Sequence, residues 1–406
     1  MENEEIMVAL ISKGVDRARL GEALAVYDEI AACGSPVPQR SHYALGWIIY
    51  YALHQADEYA IERRRRLLDH YLRLTTPRPH KLHSMILCEA IRLRENVVKS
   101  AGYARNAATD SSTGFSIIRF LPIWNPANLR PGDWNRHELD GKKLSSTVEK
   151  LITLYVGEAE KTAIFPSPEF MNIIDNALGQ YPDSSSLLSQ RASLHAKAGA
   201  DGEAIELLKK ALLLAPGKFH LWSRLAALVD KDSSPRLKLA LLARGLASPG
   251  QEDFKGRIRL ELADVWLSQS RFAQAAWELA QVKRLYESKQ WHLPRAYGIL
   301  ADRIPQGTVA ADTAGAYSRV LSLADDFIYS ALPVVRARKN YHKNPDTANA
   351  RPGWKKPSGP AWRVADESGV NYWFQPHRFG ISPDLPMGTE VAVRILNGKI
   401  VHAALV

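Results

Sequence analysis

Residues 183–216 read DSSSLLSQRASLHAKAGADGEAIELLKKALLLAP, and this stretch decides how most of the chain folds. Proline ends the stretch at Pro216 and recurs at Pro182 and Pro249, which gives spacings of 34 and 33 residues. Within the stretch, bulky and small side chains recur at helical spacing, at Leu188, Ala192, Ala204, Leu208 and Ala211. Because small residues let two helices cross closely, the pattern predicts pairs of helices that repeat along the chain.

A period of about 34 residues with two helices per unit is typical of tetratricopeptide repeats. The flanking units keep the pattern, with Phe170, Ile174 and Ala177 before the stretch, and Trp222, Leu225, Ala226, Leu262, Ala263, Trp266, Ala275 and Leu279 after it. One helix pair buries too little apolar surface alone, so neighbouring pairs have to stack. We therefore predict a mostly α protein with a tetratricopeptide-like α-solenoid over residues 145–331.

Upstream of the solenoid the helical periodicity continues, but the repeat register is lost. Segments 19–30, 41–53, 57–74 and 81–98 are amphipathic at helical spacing, which predicts a divergent helical-repeat region over residues 1–105. Residues 106–144 combine Asn, Ser, Gly and Pro with Phe115, Phe120, Trp124 and Trp134. We expect this aromatic-rich segment to be a loop packed against the solenoid.

The last 75 residues change from helical to alternating periodicity. Five short strands are predicted, over residues 333–341, 360–365, 371–375, 389–396 and 399–405, and Asn397-Gly398 is typical of a two-residue hairpin turn. Residues 343–358 form a Pro-, Gly- and Lys-rich connection. Five strands in so short a segment favour a small five-stranded OB or cold-shock-like β-barrel over residues 332–406 rather than a sandwich.

The same tail is basic and aromatic. It carries eleven Lys or Arg against five Asp or Glu, with Tyr341, Trp354, Trp362, Tyr372, Trp373, Phe374 and Phe379 among them. Bases stack on aromatic rings, at about 1–3 kcal/mol each, while cations release counterions from the phosphates. This composition indicates a surface for single-stranded nucleic acid.

Over most of its length the chain resembles bacterial tetratricopeptide proteins that end in a cold-shock-like OB domain, of the kind found in TOTE-type conflict systems. The residues that carry the resemblance are Phe120, Trp124, Asp133-Trp134, Gly141-Lys142, Pro216, Phe219, Trp222, residues 260–263, Ala276, Glu278 and Trp291. The resemblance implies a non-catalytic scaffold with a nucleic-acid-binding end that works beside enzymes in defence against phage.

The tail departs from the cold-shock pattern, since residues 361–364 and 372–375 keep aromatic side chains but change their number and order. By analogy with the family we expect Trp373 to be exposed, Tyr372 and Phe374 to be buried, and Arg363 or Trp362 to lie beside Trp373. The candidate nucleic-acid-binding residues are Trp362, Arg363, Trp373, Gln375, His377, Arg378, Lys355 and Lys356. The alternative is a barrel that fills its core with these rings and binds nothing.

A second basic segment covers residues 60–105, with eleven Lys or Arg against four Asp or Glu. It contains four consecutive arginines, 63–66, within an amphipathic helix whose apolar stripe includes the position of Arg64. We expect Arg64 to be partly buried and Arg63, Arg65 and Arg66 to face water. Those three form a candidate patch for an anion or a partner, and plain solvation is the alternative.

The remaining features exclude several classes of function. The acidic N-terminus lacks a signal-peptide pattern and no apolar run is long enough for a membrane span, so a cytoplasmic location is expected. His80 and His83 lie one helical turn apart without a third ligand, so we expect a pair of surface histidines rather than a metal site. The two cysteines cannot form a metal site either. Phosphate-binding, nucleophile-elbow and zinc-protease motifs are absent from the sequence. No metal, cofactor or enzymatic activity is expected.

Two functions therefore remain in view. The first is an adaptor that grips a partner protein with its solenoid and binds single-stranded RNA or DNA, RNA being favoured, with its barrel. The second is a pure protein-interaction scaffold or regulator of an effector enzyme, in which the barrel is a docking module. A toxin or nuclease with an unrecognised site is a weaker third hypothesis.

Overall fold

Helical periodicity along most of the chain, followed by alternation near its end, produces a mostly helical protein with a C-terminal five-stranded sheet. The computed structural model describes residues 39–56, 60–74, 79–103, 115–250, 252–343, 361–379, 381–382, 384–396 and 399–406. The chain divides into two compact units, residues 1–182 and 183–406. The finer predicted boundaries at residues 105, 144 and 331 stay predictions. Within the described ranges, no helix combines the length and the apolar character that crossing a bilayer requires.

Three helices open the described part of the first unit, α1 (Gln39–Gln55), α2 (Ile61–Leu72) and α3 (Lys81–Tyr103). They pack against one another through a buried aliphatic core that includes Leu45, Ile49, Leu68, Leu82 and Ile86. Gly46 lets α1 approach α3, because a Cβ there would lie 2.7 Å from Leu82 Cδ2. The predicted amphipathic character of these segments thus reflects a shared three-helix core.

The aromatic-rich segment, of which residues 115–144 are described, is partly helical rather than a loop. It contains α4 (Ile117–Trp124), α5 (Pro131–Trp134) and a hairpin of β1 (His137–Leu139) and β2 (Lys142–Leu144). Phe115, Phe120 and Trp124 are buried. The helices α6 (Thr147–Ala159) and α7 (Pro168–Gln180) complete the described first unit, with the rings of Tyr155 and Phe170 stacked at 3.6 Å.

Six helices open the second unit and pack as consecutive pairs. The pairs are α8 (Ser185–Lys197) with α9 (Asp201–Leu214), α10 (Phe219–Leu228) with α11 (Pro235–Ala247), and α12 (Gly256–Ser268) with α13 (Phe272–Ser288). Pro216 and Pro249 lie in the connections between pairs, and the Pro216 carbonyl accepts a 2.8 Å hydrogen bond from Trp222 Nε1. The small and bulky positions of the predicted repeat between residues 188 and 211 are all buried.

Three shorter helices follow, α14 (Arg295–Ala301), α15 (Ala314–Ser318) and α16 (Leu321–Tyr329). The fully buried carboxylate of Glu278 holds this segment to α13, because it accepts hydrogen bonds from Thr313 Oγ1 and Tyr317 OH, both at 2.6 Å, and from Arg259 at 3.0 Å. The buried Tyr317 hydroxyl beside this carboxylate has a raised pKa, mainly because burial disfavours the phenolate. Glu278, one of the residues that carry the family resemblance, thus has a structural role.

The C-terminal sheet contains β3 (Val334–Lys343), β4 (Ala361–Asp366), β5 (Asn371–Phe374), β6 (Glu390–Leu396) and β7 (Lys399–Leu405). All five predicted strands are present, with ends within two residues of the prediction. The strand order is β5-β4-β3-β6-β7, every pair is antiparallel, and the sheet curls so that β5 and β7 contact each other. Leu396 pairs with Lys399, and the predicted turn at residues 397–398 lies outside the described residues.

Helix α16 contacts the end of the sheet formed by β6 and β7. Arg394 donates to the carbonyls of Tyr329 and Leu332 at 2.6 and 2.7 Å. His402 Nε2 lies 3.1 Å from Asp325, whose other oxygen lies 2.9 Å from Arg244 of α11. These contacts attach the sheet to the helices of the same unit through β6 and β7. The part of the sheet that can serve as a binding surface is therefore β3–β5.

Candidate nucleic-acid interface

Alternation along the strands gives the curled sheet an apolar inner face and a polar outer face. The inner face is the core of the sheet, with Ala337, Trp362, Val364, Ile381, Val391, Val393 and Ala403 buried and Val335, Tyr372, Phe379, Leu385, Ile395 and Ile400 packed against them. The outer face of β3, β4 and β5 carries Arg336, Arg338, Arg363 and Trp373. Cations and an aromatic ring therefore share one face, as a nucleic-acid surface requires.

Trp373 and Arg363 are direct partners across β5 and β4. The Trp373 side chain is 54% exposed and Arg363 is half-buried, so the ring and the guanidinium lie side by side at the surface. The predicted exposure of Trp373 is confirmed, and of the two predicted neighbours it is Arg363 that lies beside it. Tyr372 is half-buried against the core, as predicted, and the side chain of Phe374 lies outside the described residues.

Trp362 is a core residue and not a stacking platform. It has no exposed surface, and the Lys339 ammonium lies 4.4 Å from the centre of its ring. A fully enclosed ring cannot stack on a base, so Trp362 leaves the set of candidate binding residues. Lys339, itself buried, donates to the Leu385 carbonyl, and burial lowers the pKa of its ammonium.

Two asparagines that the sequence reasoning missed complete the outer face. A β-bulge at Asn340 interrupts the pairing of β3 with β4, and bulges commonly redirect a side chain. Arg363 Nε donates to Asn340 Oδ1 at 3.2 Å, Asn340 Nδ2 donates to Asn371 Oδ1 at 2.8 Å, and Asn371 Nδ2 donates to the Gly369 carbonyl at 3.2 Å. This chain of hydrogen bonds orients the Arg363 side chain on the outer face.

The turn between β4 and β5 sets the register of the Trp373–Arg363 pair. Asp366 accepts hydrogen bonds from Ser368 Oγ at 2.7 Å, Val370 N at 2.9 Å, Ser368 N at 3.0 Å and Tyr372 OH at 3.1 Å. These donors, first among them the Ser368 hydroxyl, lower the pKa of the Asp366 carboxyl. The Asp366-Gly369 turn could have been recognised from sequence as an Asx-type turn.

The other candidates of the tail are spread along the chain beyond this pair. Gln375 follows β5 and is half-buried. His377 and Arg378 belong to a 3-10 turn, Pro376–Phe379, and their side chains lie outside the described residues. Lys355 and Lys356 also lie outside the described part of the chain. Arg338, missed by the sequence reasoning, is exposed but forms an ion pair with Glu390 across the strands, at 2.6 Å.

The arginine run of α2 is largely neutralised by carboxylates. Arg64 is buried against the equally buried Glu89, with Nη2 2.7 Å from Oε2, which confirms its predicted burial. Arg65 pairs with Glu62 and Asp69, and Arg66 pairs with Glu62, which lowers the pKa of the Glu62 carboxyl to about 2. Arg63 is exposed, and the described residues offer it no ion-pair partner. The candidate patch of three arginines is thus reduced to one uncompensated charge.

Two histidines of the same region, His80 and His83, pack against tyrosine side chains. His83, expected at the surface, is buried, and its Nδ1 lies 2.6 Å from Tyr71 OH. His80 is half-buried against the ring of Tyr43. Among the described residues, no three His, Cys, Asp or Glu side chains converge in a way that could hold a metal ion.

Comparison with known proteins adds one match. Residues 188–320 are similar to the family described as a domain of unknown function, DUF7017. The matched segment runs from α8 through the helices that precede α16, and it includes Glu278 and its partners but not the C-terminal sheet. No curated protein matches the chain.

Proposed function

We propose that the chain is a non-enzymatic adaptor that binds single-stranded nucleic acid, RNA in preference, on the outer face of β3–β5 and a partner protein on its helical pairs. The observation that carries the proposal is the half-exposed Trp373 ring directly across from Arg363, whose guanidinium is positioned by the Asn340 amide. A base can stack on the ring while a phosphate pairs with the cation.

An OB or cold-shock-like identity of the sheet is part of this proposal. What supports it is the strand order, in which the first strand of the sheet lies between the second and the fourth, together with the curl that brings β5 and β7 into contact. In OB-folds the face of the second and third strands binds oligonucleotides. Here those strands are β4 and β5, which carry Arg363 and Trp373.

A tetratricopeptide-like arrangement of the helices is the second part of the proposal. It is supported by three consecutive helix pairs, by prolines between the pairs and by buried small residues where the helices cross. Gly245 is an example, since a Cβ there would lie 3.1 Å from Trp222 Cβ. Such repeats present surfaces to other proteins. The family resemblance adds a setting beside the enzymes of a bacterial defence system, and the sequence patterns add the expectation of a cytoplasmic location.

The test is a binding measurement on the full chain with fluorescein-labelled oligouridylate and oligothymidylate. Point variants are better suited than truncation, because Arg394 and His402 of the sheet contact α16. We expect Trp373→Ala to lower affinity by about 1–3 kcal/mol, the contribution of one stacked base. Trp291→Ala is the matched control, because Trp291 is similarly exposed but lies on the helical part of the unit.

The outcome that would remove the sheet from the proposal is equal affinity of Trp373→Ala and the parent chain. Stronger binding of oligouridylate than of oligothymidylate would support the preference for RNA. Circular dichroism of each variant separates a lost contact from a lost fold, and the exposure of both tryptophans makes folding defects small.

One observation favours the second candidate function, a pure protein-interaction scaffold. Trp291, Leu293 and Ile299 are exposed around α14, near the end of the DUF7017 match. Exposed apolar side chains of this kind mark protein-binding surfaces. If Trp291→Ala abolishes co-purification with a partner while Trp373→Ala leaves oligonucleotide affinity unchanged, the scaffold function replaces the adaptor function.

A further inference from the structure

Helix α1 carries aliphatic side chains on one face and aromatic side chains on the other. Leu45, Ile48, Ile49 and Leu53 are buried in the three-helix core of the first unit. Residues 43, 47, 50, 51 and 54 recur at helical spacing on the opposite side, and they are Tyr43, Trp47, Tyr50, Tyr51 and His54. We call these five residues the α1 aromatic face.

The rings of the α1 aromatic face form a continuous series. Trp47 lies 6.3 Å from Tyr43, 5.9 Å from Tyr50 and 6.0 Å from Tyr51 between ring centres, and Tyr50 stacks on His54 at 5.6 Å. Two members of the series are accessible, since Tyr51 is 39% exposed and the His54 side chain 52% exposed, whereas the other three are half-buried, Tyr43 against the ring of His80. Neighbouring exposed rings such as Tyr51 and His54 mark a binding surface more often than a solitary exposed side chain does.

Positive charge lies at one end of the series. The buried Glu89 carboxylate is contacted by Arg64 at 2.7 Å, Arg92 at 2.7 Å and His54 at 3.1 Å. One carboxylate therefore faces two guanidiniums and an imidazole, and the Arg92 side chain is 47% exposed. The site keeps an excess of positive charge next to stacked rings.

We infer that the α1 aromatic face is a second binding surface for single-stranded nucleic acid, with bases on the rings of Tyr51 and His54 and phosphate on Arg92. The charge decides between possible ligands. The guanidiniums would repel a quaternary ammonium group bound in an aromatic cage. A proline-rich peptide binds to aromatic rings and does not require the guanidiniums. A polyanion with aromatic bases uses both the rings and the cations. This inference concerns the first unit and does not depend on the sheet.

Ultraviolet cross-linking of the full chain to oligouridylate, followed by peptide mapping, tests the location. We expect cross-linked peptides that contain residues 47–54, and we expect them to persist in Trp373→Ala. Cross-links confined to the sheet would overturn the inference and leave the proposed function intact. Cross-links on α1 together with unchanged affinity of Trp373→Ala would support the inference and remove the sheet site.

Affinity measurements with the same probe test the residues. Tyr51→Ala should weaken binding about fivefold or more, whereas Tyr51→Phe, which keeps the ring, should bind like the parent chain. Arg92→Gln should weaken binding and lower the slope of log K against log salt by about 0.7, the value for one phosphate contact on a single strand. Phe165→Ala is the matched control, because Phe165 is an exposed ring elsewhere in the first unit.

Two results would overturn the inference. One is equal oligouridylate affinity of Tyr51→Ala and Phe165→Ala. The other is binding of a polyproline peptide that Tyr51→Ala abolishes while oligouridylate binding stays unchanged, which would assign the α1 aromatic face to a peptide partner.

Discussion

Helix α2 carries four consecutive arginines, and the outer face of the sheet carries Arg336, Arg338 and Arg363. The two regions differ in the side chains that contact these arginines. On α2, helical spacing brings Glu62 within reach of Arg65 and Arg66, and Glu89 of α3 meets Arg64 in the core. On the sheet, Arg363 Nε donates to the side-chain amide oxygen of Asn340, and Arg363 lies directly across from the exposed Trp373 ring. The number of arginines in a segment therefore predicts a binding surface less well than the carboxylates within their reach.

A variant of Glu89 provides the strongest test of the difference between α2 and the sheet. Glu89→Ala should destabilise the protein by about 3–5 kcal/mol, because it leaves the Arg64 guanidinium buried without its carboxylate. Urea unfolding followed by circular dichroism measures the loss, and the double variant Arg64→Met, Glu89→Leu should recover much of it.

Glu62→Ala is the control on the same helix cluster, since Glu62 forms exposed pairs with Arg65 and Arg66. Exposed pairs contribute little to stability, so this variant should unfold at nearly the same urea concentration as the parent chain. A Glu89→Ala protein as stable as Glu62→Ala would show that the buried pair of α2 is no different from its exposed ones.

On the sheet the largest expected effect is on binding rather than on stability. Arg363→Gln should weaken oligouridylate binding by about 1.5–3 kcal/mol, the range for a hydrogen bond to a charged group, and should reduce the salt slope. Fluorescence anisotropy at several salt concentrations provides both numbers.

Arg257→Gln is the matched control for Arg363→Gln, because Arg257 is a highly exposed arginine on α12 of the same unit. An equal loss of affinity in both variants would mean that overall charge, and not the position beside Trp373, determines binding.

The turn that aligns Trp373 with Arg363 should depend on pH. Hydrogen bonds lower the pKa of the Asp366 carboxyl in the folded protein. The ionised carboxylate therefore stabilises the fold fully above the unfolded pKa, about 3.9, and this stabilisation is lost as the pH falls through the folded pKa. Tryptophan fluorescence during acid titration should show a change in this range that Asp366→Asn removes.

Asp384 is the control carboxylate, because it lies in the same C-terminal 75 residues but outside the β4–β5 turn. Asp384→Asn should retain the acid-dependent change. Its loss in Asp384→Asn, or its persistence in Asp366→Asn, would separate the fluorescence signal from the β4–β5 turn.

The sequence predicted the strands well because alternation and turn residues are local signals, and the helix pairs because small and bulky residues recur at a fixed period. It failed at Trp362, where Ala361 and Trp362 are both buried at the start of β4, so alternation alone misplaces the ring. It also failed at α4. That helix has a local N-cap, Ser116, but it is short and contains Pro122, which reads as a helix breaker. The Ile117 N–H is bonded to Glu158, 41 residues away, and this contact cannot be read from the local sequence.

The same limit applies to the candidate sites. Arg363 and Trp373 could be chosen from composition and spacing, but the bulge at Asn340 and the amide pair with Asn371 depend on strand register. The α1 aromatic face was hidden because its rings occur in a segment that simply looks helical and apolar. Only the packing of α1 against α2 and α3 separates its aliphatic side from its aromatic side.

The smallest expected effect concerns Glu390, the one carboxylate paired with an arginine on the open part of the outer face among the described residues. Glu390→Gln should strengthen oligouridylate binding by up to about 1 kcal/mol, because it releases Arg338 from a competing exposed ion pair. Glu206→Gln, which removes the partner of Lys209 on α9, changes the net charge equally and should leave affinity unchanged. A gain in both variants would show that long-range charge, rather than a freed arginine on the same face as Trp373, strengthens binding, and the contrast between the sheet and α2 would then lose its basis.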